Sequence, residues 1–308
     1  MGYSVPDARP VCSDRSYPCR HSERRESSAV EAVRDLDLTV GRQCITGFLG
    51  RNGAGKSTTI KMLLGMVRPT AGTGRVLGYD IAHPAPSLEI HRRIAYVGED
   101  KGLYGYMTVG ELIRFTRAFY ADWQPDAEKR LLGQYRLPLD RKIKAISKGM
   151  RTKLALLLAL ARRPELIILD EPSEGLDPVS IEELMQTLQE VRASGTSVFF
   201  SSHQLSEVEQ IADRVLMIDQ GRLVLNATLG DLLNHYRSIT VEFLGQGPMT
   251  AFELEGVTQV RTTGRRVWVL ASSNVETIVA YARSFNAIVE IRPVTLRDVF
   301  LSLAREAP

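Results

Sequence analysis

Short apolar runs alternate along the chain with stretches whose apolar residues recur every three or four positions. AVRDLDLTVG, residues 32–41, alternates apolar and polar positions and predicts a strand. QCITGFLG, residues 43–50, predicts a second strand that stops at a glycine. KSTTIKMLLGMV, residues 56–67, has helical spacing and ends ahead of Pro69. RVLGYD (75–80) and RRIAYVGED (92–100) read as further strands. A helical block then occupies residues 103–162, with TVGELIRFTRAFYA, DAEKRLLGQYRL and AISKGMRTKLALL carried on through Arg162. Beyond it, ELIILDEP (165–172) and SVFFSSH (197–203) are apolar enough for buried strands. PVSIEELMQTLQEVRASG (178–195) is a helix closed by Gly195, and QLSEVEQIA (204–212) is a shorter one. RVLMIDQGRLVLN (214–226) is a hairpin turning at Gln220-Gly221. Strands alternating with helices predict an α/β fold, a mostly parallel sheet covered on both faces.

The two ends differ from this middle. Residues 1–28 carry Pro, Ser, Arg and Glu with no apolar period and are expected to be unstructured. Near residue 235 the texture shifts, and SITVEFLG, VTQVRTTGRRVWVLA, VETIVAYARSF, AIVEIRPV and TLRDVFLSLARE predict a small α+β domain over residues 237–308. No repeat of 20–50 residues is visible.

Composition narrows the partners. With 24% charged and 44% hydrophobic residues the chain is globular, and its 308 residues suffice for two domains. A net charge of +3 is too small to argue for nucleic acid or an anionic membrane. Cys12, Cys19 and Cys44 make no disulfide framework, which points to a reducing compartment. The longest apolar run, LALLLALA at 154–161, is far short of the ~20 residues a membrane span needs. The N-terminus lacks the apolar stretch of a secretory signal, and Pro6 stands where a myristoylation signal has Ser or Thr. The chain is expected to be soluble by itself, so that any membrane role needs a partner.

Chemistry concentrates at two motifs. GRNGAGKST runs from Gly50 through Arg51, Asn52, Gly53, Ala54, Gly55, Lys56 and Ser57 to Thr58, after a predicted strand and into a predicted helix. It fits the phosphate-binding loop G-x-x-x-x-G-K-[ST] in its required context. Its glycines let backbone N–H groups turn around a β-phosphate, Lys56 reaches the β- and γ-phosphates, and the Ser57 hydroxyl holds Mg²⁺. LIILDEP, Leu166–Pro172, puts Asp170 at a strand end as a second Mg²⁺ ligand, and Glu171 next to it as the group that takes a proton from attacking water. No Asn-Lys-x-Asp element is present, which favours ATP over GTP. A third stretch, AISKGMRTKLALL, opens a helix with Ser147, Lys148 and Gly149; read alone, Ser147 is an N-cap.

The order of these motifs resembles the nucleotide-binding subunits of ABC transporters across residues 29–230. ISKGM stands where the family carries its signature, most often L-S-G-G-Q, a short helix before the Asp-Glu strand. The resemblance implies that two subunits pair head to tail on ATP, so that Ser147, Lys148 and Gly149 face the γ-phosphate held by the other protomer's Lys56. Asp177 of SEGLD is then the acid of the loop touching the partner, and His203 of SSH the γ-phosphate switch histidine. TLRDVFLSL resembles the tail of exporter ATPases related to drug- and antibiotic-resistance systems. The fold so implied is a P-loop NTPase, a doubly wound core over 29–232 with the helical block inserted, followed by the small α+β domain.

The function so implied is ATP- and Mg²⁺-dependent hydrolysis that powers an exporter. The subunit would sit at the cytoplasmic face of the membrane on a separate transmembrane permease, with no nucleic acid partner. Three departures stand out. Glu99 occupies the place of a Mg²⁺-contacting Gln, as an anionic ligand. Lys148 and Met150 differ from the common signature. The family's first strand is missing, and SERRESS offers no aromatic to stack on adenine. An ATPase-deficient regulatory subunit therefore stays open as an alternative. Non-transport relatives, DNA-maintenance ATPases or translation factors, fit less well, since neither sustained heptads nor a second phosphate loop is present.

Overall fold

A computed structural model describes residues 31–81, 87–245 and 252–303. The chain divides into Met1–Glu31 and one compact unit, Ala32–Pro308, whose fold follows. The unstructured segment expected over residues 1–28 lies outside the described residues.

The first elements are β1 (Ile45–Leu49), α1 (Lys56–Leu63), the short β2 (Arg75–Val76) and β3 (Tyr79–Asp80), α2 (Ser87–Arg93) and β4 (Ile94–Val97). Three helices form the block, α3 (Val109–Arg117), α4 (Pro125–Tyr135) and α5 (Lys148–Leu160). Then come β5 (Leu166–Leu169), α6 (Pro178–Ala193), β6 (Ser197–Ser202), α7 (Leu205–Ile211), β7 (Arg214–Asp219), β8 (Arg222–Thr228) and α8 (Leu229–His235). Six strands make the main sheet in the order β4-β5-β6-β1-β7-β8, parallel except for the β8 edge.

Two-residue alternation sorts the buried strands between two cores. Phe48, Ile168, Phe199, Leu216 and Ile218 face a cluster that includes Ile60 and Leu64 of the α1 segment. Ile45, Leu49, Ile167, Leu169, Val198, Phe200, Val215 and Met217 face the other cluster, with side chains of α5, α6 and α7. Both faces being covered, these strands read as unbroken apolar runs. On the second face Gly47 admits α7, since a Cβ there would lie 2.4 Å from Val208 Cγ1.

Three sequence expectations are corrected. Residues 32–41 form no strand. Leu36, Leu38 and Val40 do pack on the core beside α1. Among the described residues the segment pairs with no strand, however, and Arg34 N–H donates to Gly221 O at 2.8 Å. Arg92 and Arg93 end α2 and are not part of β4. RVLGYD folds as a two-residue hairpin, turning at Leu77 and Gly78 with φ of 52° and 88°.

The block takes its helix starts from local chemistry. Thr108 and Glu111 make a reciprocal capping box for α3, and Pro125 opens α4. α5 is apolar on nearly all sides because it packs against α3, α4, α6 and β4.

The chain ends with β9 (Arg237–Phe243), β10 (Val257–Thr263), β11 (Arg266–Ala271), α9 (Val275–Ser284), β12 (Ala287–Pro293) and α10 (Leu296–Leu303). The four strands pair antiparallel in the order β10-β11-β9-β12. Ile239, Val241, Val269 and Ile278 anchor a third cluster there. α10 packs on α7, and Val294, Leu296 and Val299 join the larger core of the main sheet.

Candidate nucleotide-binding and hydrolysis site

β5, β6 and β1 are neighbours in the parallel part of the sheet, so the loops at their C-terminal ends converge. The loop after β1 carries Gly50–Gly55, that after β5 carries Asp170–Asp177, and His203 follows β6. Gly53 and Gly55 take φ of 83° and 108°, conformations that a side chain would strain. Gly55 caps α1 without any side-chain acceptor, so the first N–H groups of that helix are available to an anion.

Lys56 points back into its own loop. Its buried Nζ donates to Gly50 O at 2.7 Å and Arg51 O at 3.3 Å. It also lies 3.1 Å from Glu171 Oε1. His203 Nδ1 stands 2.8 Å from Glu171 Oε2. Glu171 is only 8% exposed and sits at φ 46°, a left-handed backbone that is unusual for a residue with a long side chain. Ser201 fixes this turn, accepting from Glu171 N–H at 2.9 Å and donating to Asp170 Oδ1 at 2.7 Å. Three elements thus bring one cation, two carboxylates and an imidazole to one spot.

The other sequence-derived residues gather elsewhere. Ser147 is exposed and caps α5, its Oγ accepting from Met150 N–H at 3.2 Å. Lys148 Nζ lies 4.0 Å from Glu174 Oε1, and a Cβ on Gly149 would touch Ser180 Oγ at 3.4 Å. Asp177 caps α6, accepting from Ser180 N–H at 3.0 Å and Ser180 Oγ at 2.8 Å, and those bonds hold its carboxyl below the usual range. Among the described residues, no hydrogen bond or ion pair joins Ser147, Gly149 or Asp177 to Lys56, Glu171 or His203. Glu99 is exposed after β4 and hydrogen-bonds Glu174, which holds it above the usual carboxylate range. Burial, then Lys148, pushes Lys101 down.

The ABC transporter family profile matches residues 33–174. The ABC transporter ATP-binding protein NatA of Bacillus subtilis is 32% identical over 73% of this chain and 94% of its own length. The chain belongs to the ATP-binding subunits of ABC transporters. The daunorubicin/doxorubicin resistance ATP-binding protein DrrA of Streptomyces peucetius is 36% identical over 67% of this chain and 63% of its own length. The chain spans a little under two thirds of several curated relatives it matches, 64%, 63% and 62% for three of them. A solved ATP-binding subunit of an ABC transporter shares its fold with a TM-score of 0.60 and 32% identity, over 68% of this chain and 88% of that one.

The doubly wound core of this ABC subunit is therefore a P-loop NTPase fold. The motifs alone did not reveal Ser201 or Glu174. A serine inside an apolar strand reads as a small buried residue, and only the pairing of β5 with β6 shows which carboxylate it serves. Glu174 stood inside the quoted SEGLD, and nothing local links it to Glu99. Among the described residues no three His, Cys, Asp or Glu side chains converge as a metal site. That suits Mg²⁺, which takes one or two carboxylates and completes its shell with phosphate oxygens and water.

Proposed function

We propose that this chain is the ATP-hydrolysing subunit of an ABC-type exporter. The observation that carries it is the meeting of Lys56, Glu171 and His203 at the ends of β1, β5 and β6. The phosphate loop, Gly50, Arg51, Asn52, Gly53, Ala54, Gly55, Lys56, Ser57 and Thr58, would wrap the β- and γ-phosphates with backbone N–H groups and the Lys56 ammonium. Ser57, Asp170 and Glu99 would hold Mg²⁺, which when bound neutralises charge on the phosphate oxygens. Glu171 then accepts a proton from water, and His203 orients the carboxylate through Oε2. Positioning and charge supply most of the rate.

The separation of Ser147, Lys148, Gly149 and Asp177 from that spot supports a head-to-tail dimer, in which they serve the partner's nucleotide. The exporter reading rests on the drug-resistance relative. An apolar surface for a permease is at hand on the helical block, where Tyr104, Tyr106, Phe115 and Phe119 are exposed and in ring contact. The subunit would sit at the cytoplasmic face of the membrane on a separate permease; among the described residues no helix is long and apolar enough to cross a membrane. We assign residues 29–232 to the ATPase domain, with its block at 103–162, and 237–308 to an accessory domain.

The test is phosphate release by the full chain with Mg²⁺ and ATP. Glu171→Gln should lower turnover by roughly 10²–10⁴ while ATP still binds. A wild-type chain that binds ATP without hydrolysing it would instead make this a regulatory subunit. Purification from membranes with a multi-span protein tests the permease.

A further inference from the structure

One buried carboxylate has no part in the chemistry above. Glu207 of α7 is 3% exposed. Its Oε2 accepts two hydrogen bonds, from Ser173 Oγ at 2.8 Å and from Ser202 Oγ at 2.8 Å, while its buried Oε1 makes none. The two serines come from different strand ends. Ser173 follows Glu171 in the loop leading to Asp177, and Ser202 closes β6 just before His203. Ser202 Oγ also accepts from Gln204 N–H at 2.9 Å, so this hydroxyl spans the turn that carries His203.

The position matters because the ladder stops short of it. The last β5–β6 pair is Leu169 with Phe200. Beyond that pair no backbone hydrogen bond joins residues 170–177 to residues 201–204. Side chains link the two ends there, Ser201 on one side and Glu207 on the other, with the Glu171–His203 contact between them. α7 is a rigid base for this, since Val208 is fully buried against Gly47 of β1. A glutamine in the same place would put an amide N–H₂ where Oε1 now meets no hydrogen-bonding partner.

We infer that Glu207 is a positioning residue for hydrolysis, a single buried oxygen that clamps the Glu171 loop to the His203 turn. It keeps Glu171 Oε2 and His203 Nδ1 within 2.8 Å of each other. The inference rests on the proposed ATPase function.

The experiment compares steady-state ATP hydrolysis by the full wild-type chain, Glu207→Ala, Glu207→Gln and the pair Ser173→Ala with Ser202→Ala. Glu207→Ala should lower kcat about 10–100-fold and leave KM for ATP within about twofold, because the phosphate loop is untouched. Glu207→Gln should recover most of the loss, its amide oxygen still accepting both hydroxyls. Adding the serine pair to Glu207→Ala should change kcat no further, whereas the pair alone lowers it. Wild-type kcat in Glu207→Ala, an equal loss of kcat and ATP binding, no rescue by Gln, or additive losses would each overturn the assignment. Where Glu207→Ala does not fold, the serine pair decides: about a tenfold loss of kcat at unchanged KM supports the clamp, and wild-type kcat overturns it. A wild-type chain without ATPase activity overturns the underlying function, which is a separate result from active wild type with indifferent variants.

Discussion

The Lys56 ammonium stands 3.1 Å from Glu171 Oε1, and both side chains are nearly buried. Among the described residues Glu171 Oε1 has no hydrogen-bond partner, so charge holds the contact. Removing one partner strands the other, at a cost of at most about 3–5 kcal/mol. Lys56→Ala should therefore weaken the fold as well as ATP binding. Adding Glu171→Gln removes the stranded charge and should restore much of the stability, though not the binding. Urea unfolding of the four chains measures this; a double variant no more stable than Lys56→Ala would show that the two residues do not depend on each other.

Ser147 already caps its own helix, so its effects need separating. Ser147→Ala removes the cap alone and should cost about 1 kcal/mol of stability. Ser147→Arg adds bulk and should abolish ATP-driven dimerisation while single subunits still bind ATP. Mixing Ser147→Arg with Lys56→Ala subunits leaves one composite site intact, and part of the activity should return. Loss of ATP binding by isolated Ser147→Arg subunits would place Ser147 at its own subunit's nucleotide.

Tyr135 of α4 donates to Thr187 Oγ1 of α6 at 3.1 Å, linking the helical block to the core, and burial raises its pKa to about 12. The fold thus favours the neutral phenol. That contribution is complete below the usual value of 10 and is lost as pH climbs through about 12. Stability should fall over this window, and Tyr135→Phe should flatten the fall while costing about 1 kcal/mol at pH 7. Chemical denaturation between pH 7 and pH 12 reads both; equal slopes for wild type and variant would contradict the assignment.

Glu99→Gln should keep hydrolysis within about tenfold of wild type, a barrier change of roughly 1.4 kcal/mol, and weaken the apparent Mg²⁺ affinity. The amide can still bond Glu174 and can still ligate through its oxygen, but it brings no charge. Glu99→Ala loses all three and should fall further. Mg²⁺ titrations of the ATPase rate distinguish them, and an Ala variant matching wild type would make Glu99 an ordinary surface acid.

What the sequence disclosed was local. The phosphate loop, Asp170 and Glu171 could be singled out because each sits beside the strand or helix that places it, whereas His203 stood out only through the order of the motifs around it. AVRDLDLTVG misled because its alternation is real, yet a ladder needs a neighbour that no local pattern supplies. The partners of Ser201, Glu99 and Glu207 were hidden for the same reason, since they come from strand order and loop convergence. Ser147 combined both cases, for its cap is visible in four residues while any role toward a second subunit is not.

α10 rests on α7, and Val294, Leu296 and Val299 share a core with β1 and β6. The tail has a sheet of its own, yet this shared packing predicts that tail and core open together, as a single foldon in hydrogen-exchange terms. Amides of β9 and β11 should exchange at the same opening free energy as those of β1, and a chain that ends at α8 would melt lower across its central strands.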